Sequence, residues 1–256
     1  MFKIATWNVN SLKVRLPHVL QWLESEQPDV LALQETKTTN DNFPLKEIEQ
    51  AGYFVKYSGQ KTYNGVATLS KSPLEIIATD IPDLEDEQRR VLLTNSNGIN
   101  VLNLYVPNGS EVDSDKYRYK LNWFAKLHPF VNNLLSGNDH LIILGDFNIA
   151  PDDSDVHDPD EWEGKVLVSE PERAEFNKLL AHGLTDCFRL FAQKEKSFSW
   201  WDYRAAAFRR NRGLRIDHIL ASKKLSELCQ KCYIDINPRK LERPSDHTPV
   251  VAEFGI

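Results

Sequence analysis

Carboxylate and amide side chains follow several apolar runs of this sequence, at the points where the runs end. Asn8 and Asn10 follow the first run, and Glu35 follows the second. Asp146 and Asn148 follow a purely aliphatic run. Any one of these residues fits ordinary turn chemistry. All of them together do not, because an unpaired carboxylate beside buried aliphatic residues costs several kcal/mol. The pattern therefore predicts one polar site at the strand ends.

The same pattern continues with a tyrosine, further acids and a histidine. Tyr105 ends another run, Asp217 lies inside a later one, and the pair Asp246-His247 precedes the last. Mg²⁺ prefers carboxylate and amide oxygens at ~2.1 Å and keeps several waters, which leaves room for a phosphate oxygen. A carboxylate beside a histidine acts as a base or orients the imidazole, and an asparagine donates to an oxyanion. Hydrolysis of a phosphodiester uses all of these groups, and we expect Glu35 among the metal ligands.

A fold that mixes strands with helices would position these side chains. Apolar or alternating runs predict about ten strands, at 3–8, 30–34, 53–57, 66–70, 75–78, 91–94, 101–106, 141–145, 215–221 and 250–254. Helical spacing predicts helices at 16–24, 116–135 and 171–181, and a helix end at 225–230. Short connections between 53 and 106 favour antiparallel pairing, and strand-helix-strand order near both ends adds parallel pairs. We expect a single α/β domain over residues 1–256, a sandwich of two mixed sheets with helices outside.

The composition excludes several classes of protein. With 256 residues, 41% of them hydrophobic, the chain suffices for one large core. No apolar run reaches the ~18 residues of a membrane span, and the N-terminal residues lack the apolar segment of a signal peptide. Three cysteines are too few for a disulfide framework, and Cys229 and Cys232 lack the second pair that a zinc site needs. We expect a soluble monomer without a membrane partner, cytoplasmic, and nucleoid-associated if the source is bacterial.

A net charge of −6 does not by itself exclude a nucleic acid as partner, because the local clustering of positive charges decides binding more than the net charge of the protein does. The stretch WWDYRAAAFRRNRGLR combines aromatic residues with arginines at 204, 209, 210, 212 and 215. One interpretation is a solvated loop. The other is a surface whose arginines contact phosphates and whose aromatic rings stack on bases or sugars. The residues alone leave both interpretations open.

A series of motifs covers the chain from residue 2 to residue 254. In order they are TWNVNSL, LQETK, NGVATLSK, QRRVLL, LYVPNG, GDFNIAP, SEPER, FSWWDYR, NRGLRIDHILAS and RPSDHTPV. This order and spacing resemble the exonuclease III family of AP endonucleases. GDFN or SDH alone would indicate only the wider endonuclease/exonuclease/phosphatase superfamily, but FSWWDYR with NRGLRIDHILAS is typical of the exonuclease III branch. The resemblance implies a DNase I-like fold, a four-layered α/β sandwich of two mixed sheets flanked by helices.

The resemblance also implies a role for each polar residue at the strand ends. Asp146 would activate the attacking water, and Asn148 would stabilise the transition state. Tyr105 would contact the phosphate or the leaving group. Asp217 would orient the imidazole of His247 against the scissile phosphate. The residues at or near the metal, with the principal ligand first, would be Glu35, Asn8, Asn10, Asp146, Asn148, Asp246 and His247.

The implied activity is Mg²⁺-dependent hydrolysis of the phosphodiester 5′ to an abasic site in double-stranded DNA, with Mn²⁺ able to replace Mg²⁺. The same centre would remove nucleotides in the 3′ to 5′ direction and trim damaged 3′ ends. Phe208 and Leu214 would form an apolar pocket for the abasic sugar, which costs less to flip out than a paired base. The residues expected to contact DNA are Arg89, Arg90, Asn108, Arg204, Phe208, Arg209, Arg210, Arg212 and Leu214.

Three questions remain open at the level of sequence. The balance between abasic-site incision and exonuclease trimming is one, and His157, Trp162 and Lys165 would shape it from a loop near the pocket. Another phosphodiesterase of the same fold is the first alternative function, although LYVPNG and the arginine-aromatic stretch argue against it. A catalytically silent DNA-binding module is the second, although the metal and base positions are intact. The remaining histidines, at 18, 128, 140 and 182, show no acidic partner at an evident spacing and receive no role.

Overall fold

Two mixed β-sheets lie at the centre of the computed structural model of the chain, which describes residues 1–84 and 86–256. Within these ranges the strands are β1 (Phe2–Asn8), β2 (Val30–Gln34), β3 (Phe54–Ser58), β4 (Val66–Ser70), β5 (Glu75–Ala78), β6 (Val91–Ser96), β7 (Ile99–Tyr105), β8 (Leu141–Asp146), β9 (Leu184–Asp186), β10 (Asp217–Ser222), β11 (Cys229–Ile234) and β12 (Val250–Phe254). The helices are α1 (Leu12–Glu26), α2 (Leu45–Gln50), α3 (Asp115–Gly137), α4 (Pro159–Trp162), α5 (Glu170–Ala181) and α6 (Lys223–Ser226). The first sheet has the strand order β11-β12-β1-β2-β4-β3, and the second has the order β5-β6-β7-β8-β10-β9.

Three apolar clusters divide the core into layers. The first lies between the two sheets and includes Ile4 and Ile142. The second joins the outer face of the first sheet to α1, through residues such as Leu12 and Trp22. The third joins the outer face of the second sheet to α3 and α5, with Phe124 among its members. Helix, sheet, sheet and helix therefore stack as four layers, and this confirms the predicted fold class.

Parallel pairing in each sheet aligns the strand ends that carry polar residues. In the first sheet β1 and β2 run parallel, with Asn8 opposite Gln34. In the second sheet β7 and β8 run parallel, with Tyr105 opposite Asp146, and β10 brings Asp217 opposite the same aspartate. The ends of the two sheets meet, since the side chains of Asn8 and Asp146 are 2.8 Å apart. The order of the strands therefore brings the predicted polar residues to one end of the two sheets. The cleft that contains Asn8, Tyr105, Asp146 and Asp217 is called the mouth of the site.

Gly145 allows β7 and β8 to approach closely just before Asp146. Its φ is +145°, and a Cβ at this position would lie 1.9 Å from the carbonyl oxygen of Leu104 on β7. Any larger residue would push the two strands apart. The glycine therefore fixes the distance between Tyr105 and Asp146, which end these strands.

Some predicted elements are wrong or missing. The helix end predicted at 225–230 is correct only as far as Ser226, where α6 ends, because residues 229–234 form β11 and pair antiparallel with β12. Pairing with the C-terminal strand overrides the local pattern of a short run. The three-residue β9 was too short for a periodic signal. The other predicted strands and the three predicted helices are confirmed, with ends that differ by a few residues. No helix in the described ranges is both long and apolar enough to cross a membrane.

Candidate active site

An asparagine bridges two carboxylates where the sheets meet. Glu35 follows β2 and Asp146 ends β8, and the amide nitrogen of Asn8 donates to an oxygen of each over 2.8 Å. Asn8 and Asp146 are buried, whereas the side chain of Glu35 is 17% exposed. The backbone of Glu35 has φ 50°, a left-handed conformation that is uncommon for such a residue and recurs at functional sites. One carboxylate from each sheet therefore contributes to a pair, and the pair is open to solvent on the side of Glu35.

A buried Asp-His pair lies beside these carboxylates. Nδ1 of His247 is 2.9 and 3.1 Å from the two carboxylate oxygens of Asp217, and its Nε2 is 3.7 Å from Oδ2 of Asp146. Burial alone would lower the pKa of His247, but Asp217 and Asp146 outweigh it and raise that pKa to about 10. Burial raises the pKa of Asp146 to about 7, although the charge of His247 acts against this. At neutral pH the imidazole therefore holds its proton, and Asp146 is able to accept one.

A tight turn after β8 brings Asn148 to the same mouth. The backbone of Asn148 has φ 50°, and its N–H donates to Oδ1 of Asp146 over 2.9 Å. Its side-chain nitrogen donates to the carbonyl of Val106 over 3.0 Å, and its side-chain oxygen accepts from Nδ2 of Asn108 over 2.9 Å. Two of the asparagines predicted at the site, Asn108 and Asn148, are therefore hydrogen-bonded to each other, with Asn148 buried and Asn108 exposed.

Tyr105 lies between the carboxylates and an arginine. Burial raises the pKa of its hydroxyl well above the usual range, and the charges of Glu35 and Asp146 add to this rise. The guanidinium of Arg90 lies 4.6 Å from the centre of the Tyr105 ring and donates to the carbonyl of the same residue over 3.2 Å. Arg90 is itself largely buried and also donates to Gln88, so it braces the tyrosine, and its contact with DNA stays a prediction.

The donor set fits a hard divalent cation. In the described part of the chain, ligand atoms of Glu35, Asp146 and His247 lie within 4.8 Å of one another. Carboxylate oxygens suit Mg²⁺ or Mn²⁺ better than an imidazole nitrogen does. Glu35 and Asp146 would therefore hold the ion, and the positive charge of His247 suits a phosphate oxygen better.

Other predicted neighbours of the metal have different partners. Asp246 accepts from Nδ2 of Asn10 over 2.9 Å and from Nε1 of Trp200 over 3.0 Å. Burial alone would raise the pKa of Asp246, but the charge of His247 and these hydrogen bonds outweigh it and lower that pKa. The side-chain oxygen of Asn10 accepts from Nζ of Lys37 over 2.6 Å. Asp246 thus lies outside the three-residue cluster and braces it through Asn10.

The arginines expected at a DNA surface differ in how freely they face solvent. Arg209 and Arg210 are exposed, and the described residues contain no ion pair with either one. The other arginines are paired, as Arg89–Asp80, Arg204–Asp202, Arg212–Glu161, Arg215–Asp155 and Arg215–Asp186. Arg215 is also fully buried. Arg209 and Arg210 are therefore the arginines of this stretch best placed to contact phosphates.

The apolar pocket expected for an abasic sugar is not built as predicted. Leu214 has no exposed surface, because it packs in a cluster with Val156 beneath the loop. Phe208 is half-buried, with its ring centre 5.0 Å from that of Trp201 and 4.9 Å from the guanidinium carbon of Arg239. Leu214 therefore supports the loop from below, and only Phe208 retains surface that a sugar could contact.

Several residues that hold the site were not predicted from the sequence. Ser199 donates to Asp217 over 2.6 Å and accepts the N–H groups of residues 216 and 217. His128, which had no assigned partner, lies 2.6 Å from Glu175 on another helix. A fully buried ion pair joins Lys120 on α3 to Glu172 on α5. Partners about fifty residues apart leave no signal in local spacing, whereas the position of Ser199 inside FSWWDYR could have suggested a role.

Comparison with known proteins gives a consistent result. Residues 5–247 match the Endonuclease/Exonuclease/phosphatase family. The chain is 40% identical to an exodeoxyribonuclease III of Haemophilus influenzae, over 98% of this chain and 99% of that protein. Among solved structures, a Neisseria 3′ phosphatase, NExo, bound to product DNA hairpin superposes with a TM-score of 0.98 at 46% identity, over 100% of both chains. An AP endonuclease from Archaeoglobus fulgidus superposes with a TM-score of 0.96 at 39% identity, also over 100% of both chains.

These matches span nearly the whole chain and include the strand ends that carry the polar site. The predicted resemblance is thereby confirmed. The chain belongs to the endonuclease/exonuclease/phosphatase family of hydrolases, and within it to the exonuclease III family.

Proposed function

We propose that this chain is a divalent-metal-dependent DNA nuclease that incises 5′ to abasic sites in duplex DNA and processes 3′ ends. The observation that carries the proposal is the arrangement of two carboxylates, Glu35 and Asp146, beside the Asp217–His247 pair. The carboxylates suit a cation, and the imidazolium suits a phosphate oxygen. Relatives named as an exodeoxyribonuclease and an AP endonuclease support DNA as the substrate. One chain supplies every group, so a monomer suffices.

In this proposal the protein's own residues handle the protons. Asp146 accepts the proton of the attacking water, and burial, which raises its pKa, favours this role. His247 keeps its proton and donates from Nε2 to a phosphate oxygen, while Asp217 fixes the ring. Tyr105 stays protonated at neutral pH because of its raised pKa, and it donates to the phosphate or the departing oxygen. A bound Mg²⁺ or Mn²⁺ would supply positive charge against the phosphate and polarise the attacking water.

Asn148 would stabilise the same phosphate. An amide nitrogen carries two hydrogens, and Asn148 uses one of them on the carbonyl of Val106. The second hydrogen is free for an oxygen of the pentavalent transition state. Arg209 and Arg210 would contact the DNA backbone on the rim, and the exposed Asn108 would contact the substrate beside Asn148.

Predominant 3′-end processing is the second candidate, and the burial of Leu214 favours it. A flipped abasic sugar needs an open pocket, whereas a 3′-terminal nucleotide needs only the mouth. The loop before α5 is also packed closed, since Nε2 of His157 accepts from Arg212 over 3.2 Å and its ring packs against Trp162. The Neisseria neighbour that is named as a 3′ phosphatase agrees with this candidate.

Three labelled DNA duplexes distinguish the candidates. One carries a single tetrahydrofuran abasic analogue, the second an undamaged recessed 3′ end, and the third a 3′-phosphate. The purified protein is tested with Mg²⁺, with EDTA and as Asp146→Asn. Metal-dependent cleavage of the first substrate, lost in the variant, supports abasic-site incision. Cleavage of only the second or third supports the 3′-end candidate, and no cleavage of any substrate refutes both.

A further inference from the structure

The ammonium group of Lys120 lies inside the protein with every hydrogen used. Lys120 is fully buried on α3. Its Nζ donates to the backbone carbonyl of Asn148 over 2.7 Å, to that of Asn108 over 3.2 Å, and to a carboxylate oxygen of Glu172. An ammonium carries three hydrogens, and here each has its own acceptor. A lysine in such a position is held in one orientation.

The partner of this lysine is equally constrained. Glu172 on α5 is fully buried, and its two oxygens also accept the N–H groups of Leu167 and Ser169 and the hydroxyl of Ser169. Ser169 and Glu172 form the capping box that begins α5. The ion pair therefore links α3, the start of α5 and the two carbonyls through a fixed set of hydrogen bonds.

The two carbonyls belong to the asparagines of the candidate site. Asn108 and Asn148 are bonded to each other through their side chains. Asn148 also has a left-handed backbone with φ 50°, a conformation that asparagine tolerates better than most residues and that surrounding contacts hold in place. The hydrogen bond from Lys120 to the carbonyl of Asn148 is one such contact, and it comes from the buried interior of the protein.

We propose that Lys120 is a positioning residue, which sets the orientation of the Asn108 and Asn148 amides toward the phosphate by fixing their backbone carbonyls. The idea rests on the proposed function, because it assigns these amides to the substrate. A buried ion pair is weak evidence for stability, since uncharged residues of similar volume often replace one at little cost. Uncharged apolar residues would not replace the two hydrogen bonds from Lys120 to the backbone carbonyls of Asn108 and Asn148.

The test removes both charges while it keeps the helix cap. In the double variant Lys120→Met/Glu172→Gln, the glutamine still accepts for the capping box. The matched control is His128→Gln/Glu175→Gln, which neutralises another polar link between the same two helices. Steady-state cleavage is measured on whichever duplex the unaltered protein cleaves. We expect kcat to fall at least tenfold in the first variant with KM within twofold, and both constants to stay within twofold in the control.

A double-mutant cycle separates positioning from a general loss of packing. Asn148→Ala is made in the unaltered chain and in the Lys120→Met/Glu172→Gln chain. If the lysine acts through Asn148, the alanine substitution costs much less in the second background. Equal costs in the two backgrounds would overturn the proposal. If the double variant does not fold, Lys120→Gln/Glu172→Gln, a neutral pair that leaves no unpaired carboxylate in the core, replaces it in the same cycle.

A measurement without turnover keeps this idea distinct from the proposed function. Amide hydrogen exchange at residues 106–109 and 146–149 is compared in the same proteins. Faster exchange in the lysine variant and not in the control supports the fixed carbonyls even if no DNA substrate is cleaved. Unchanged exchange together with unchanged kcat refutes the positioning role while leaving the nuclease proposal intact.

Discussion

Replacement of Asp217 by asparagine should add a loss of activity between about pH 6.5 and pH 8.5 that the unaltered protein does not show. Asp217 is fully buried and holds Nδ1 of His247 through both carboxylate oxygens. Asparagine has the same shape but removes the charge that raises the pKa of the imidazole. Burial, the largest effect on His247, then lowers that pKa toward or below its ordinary value of 6.5.

The size of the effect follows from the protonated fraction of His247. With a pKa of about 10, nearly all of the imidazole stays protonated up to about pH 8.5. With a pKa of about 6.5, the protonated fraction falls from about one half at pH 6.5 to about 1% at pH 8.5. The rate of Asp217→Asn divided by the rate of the unaltered protein should therefore fall about 50-fold across this range. The loss of a charge-assisted hydrogen bond adds a factor of roughly ten or more that does not depend on pH.

Single-turnover cleavage at saturating Mg²⁺ measures this ratio. Dividing one rate by the other cancels pH effects that are common to both proteins, such as the titration of metal-bound water. Loss of the Asp217 charge also lowers the pKa of Asp146, which raises the ratio at the acidic end and so acts in the same direction as the titration of His247. Glu253→Gln is the control, because it removes one carboxylate from β12 without contact to His247. Its ratio should stay near one at every pH. A ratio for Asp217→Asn that does not change with pH would refute the role of His247 as a proton-bearing group tuned by Asp217.

Three further predictions follow from the site and the sheet. Mg²⁺ should raise the Tm of the unaltered protein but not that of Glu35→Gln, as followed by calorimetry, and equal rises would exclude Glu35 as a ligand. Gly145→Ala should lower the free energy of unfolding by about 3 kcal/mol or more in urea titrations, because its Cβ would collide with β7. Gly98→Ala, at a φ of +82° with open space around the added Cβ, should lose only about 1 kcal/mol. Arg209→Ala/Arg210→Ala should reduce the slope of log affinity against log salt by about 1.8, measured by fluorescence anisotropy in EDTA between ~50 and ~200 mM salt, and an unchanged slope would remove both from the DNA surface.

The fold class and the convergence of the polar residues were both accessible from the sequence. Strands such as β2 and β4 have strong apolar runs, and their predicted ends are those observed. Asp146 and Glu35 gave a signal because a carboxylate at the end of an aliphatic strand has few structural explanations. The Asp217–His247 contact followed from the resemblance, since no local pattern links residues thirty positions apart. Their catalytic roles stay predictions.

What the sequence did not indicate depends on contacts between distant segments. Cys229 and Cys232 lie in a strand only because β12 is available to pair with them. Lys120 looks like an exposed polar position of an amphipathic helix, and its burial depends on Glu172 and two carbonyls that tertiary structure alone brings near. The resemblance implied that Leu214 lies at a pocket surface, but the isolated pairing with Trp200 draws it inward. Propensity and periodicity carry no information on such partners.

The strand orders of the two sheets have a consequence for how the site is divided. Each sheet contains the same sequence of orientations around a central parallel pair, β1 with β2 in one and β7 with β8 in the other. The two sheets are therefore topologically equivalent halves of the chain, and they face each other across the site. At equivalent strand ends, Asn8, Gln34 and Val66 of the first half correspond to Tyr105, Asp146 and Asp217 of the second. At these three positions the second half supplies ionisable groups and the first supplies uncharged ones, while Glu35 and His247 lie just outside strands of the first half. The side chains at equivalent strand ends therefore break the pseudo-symmetry of the scaffold.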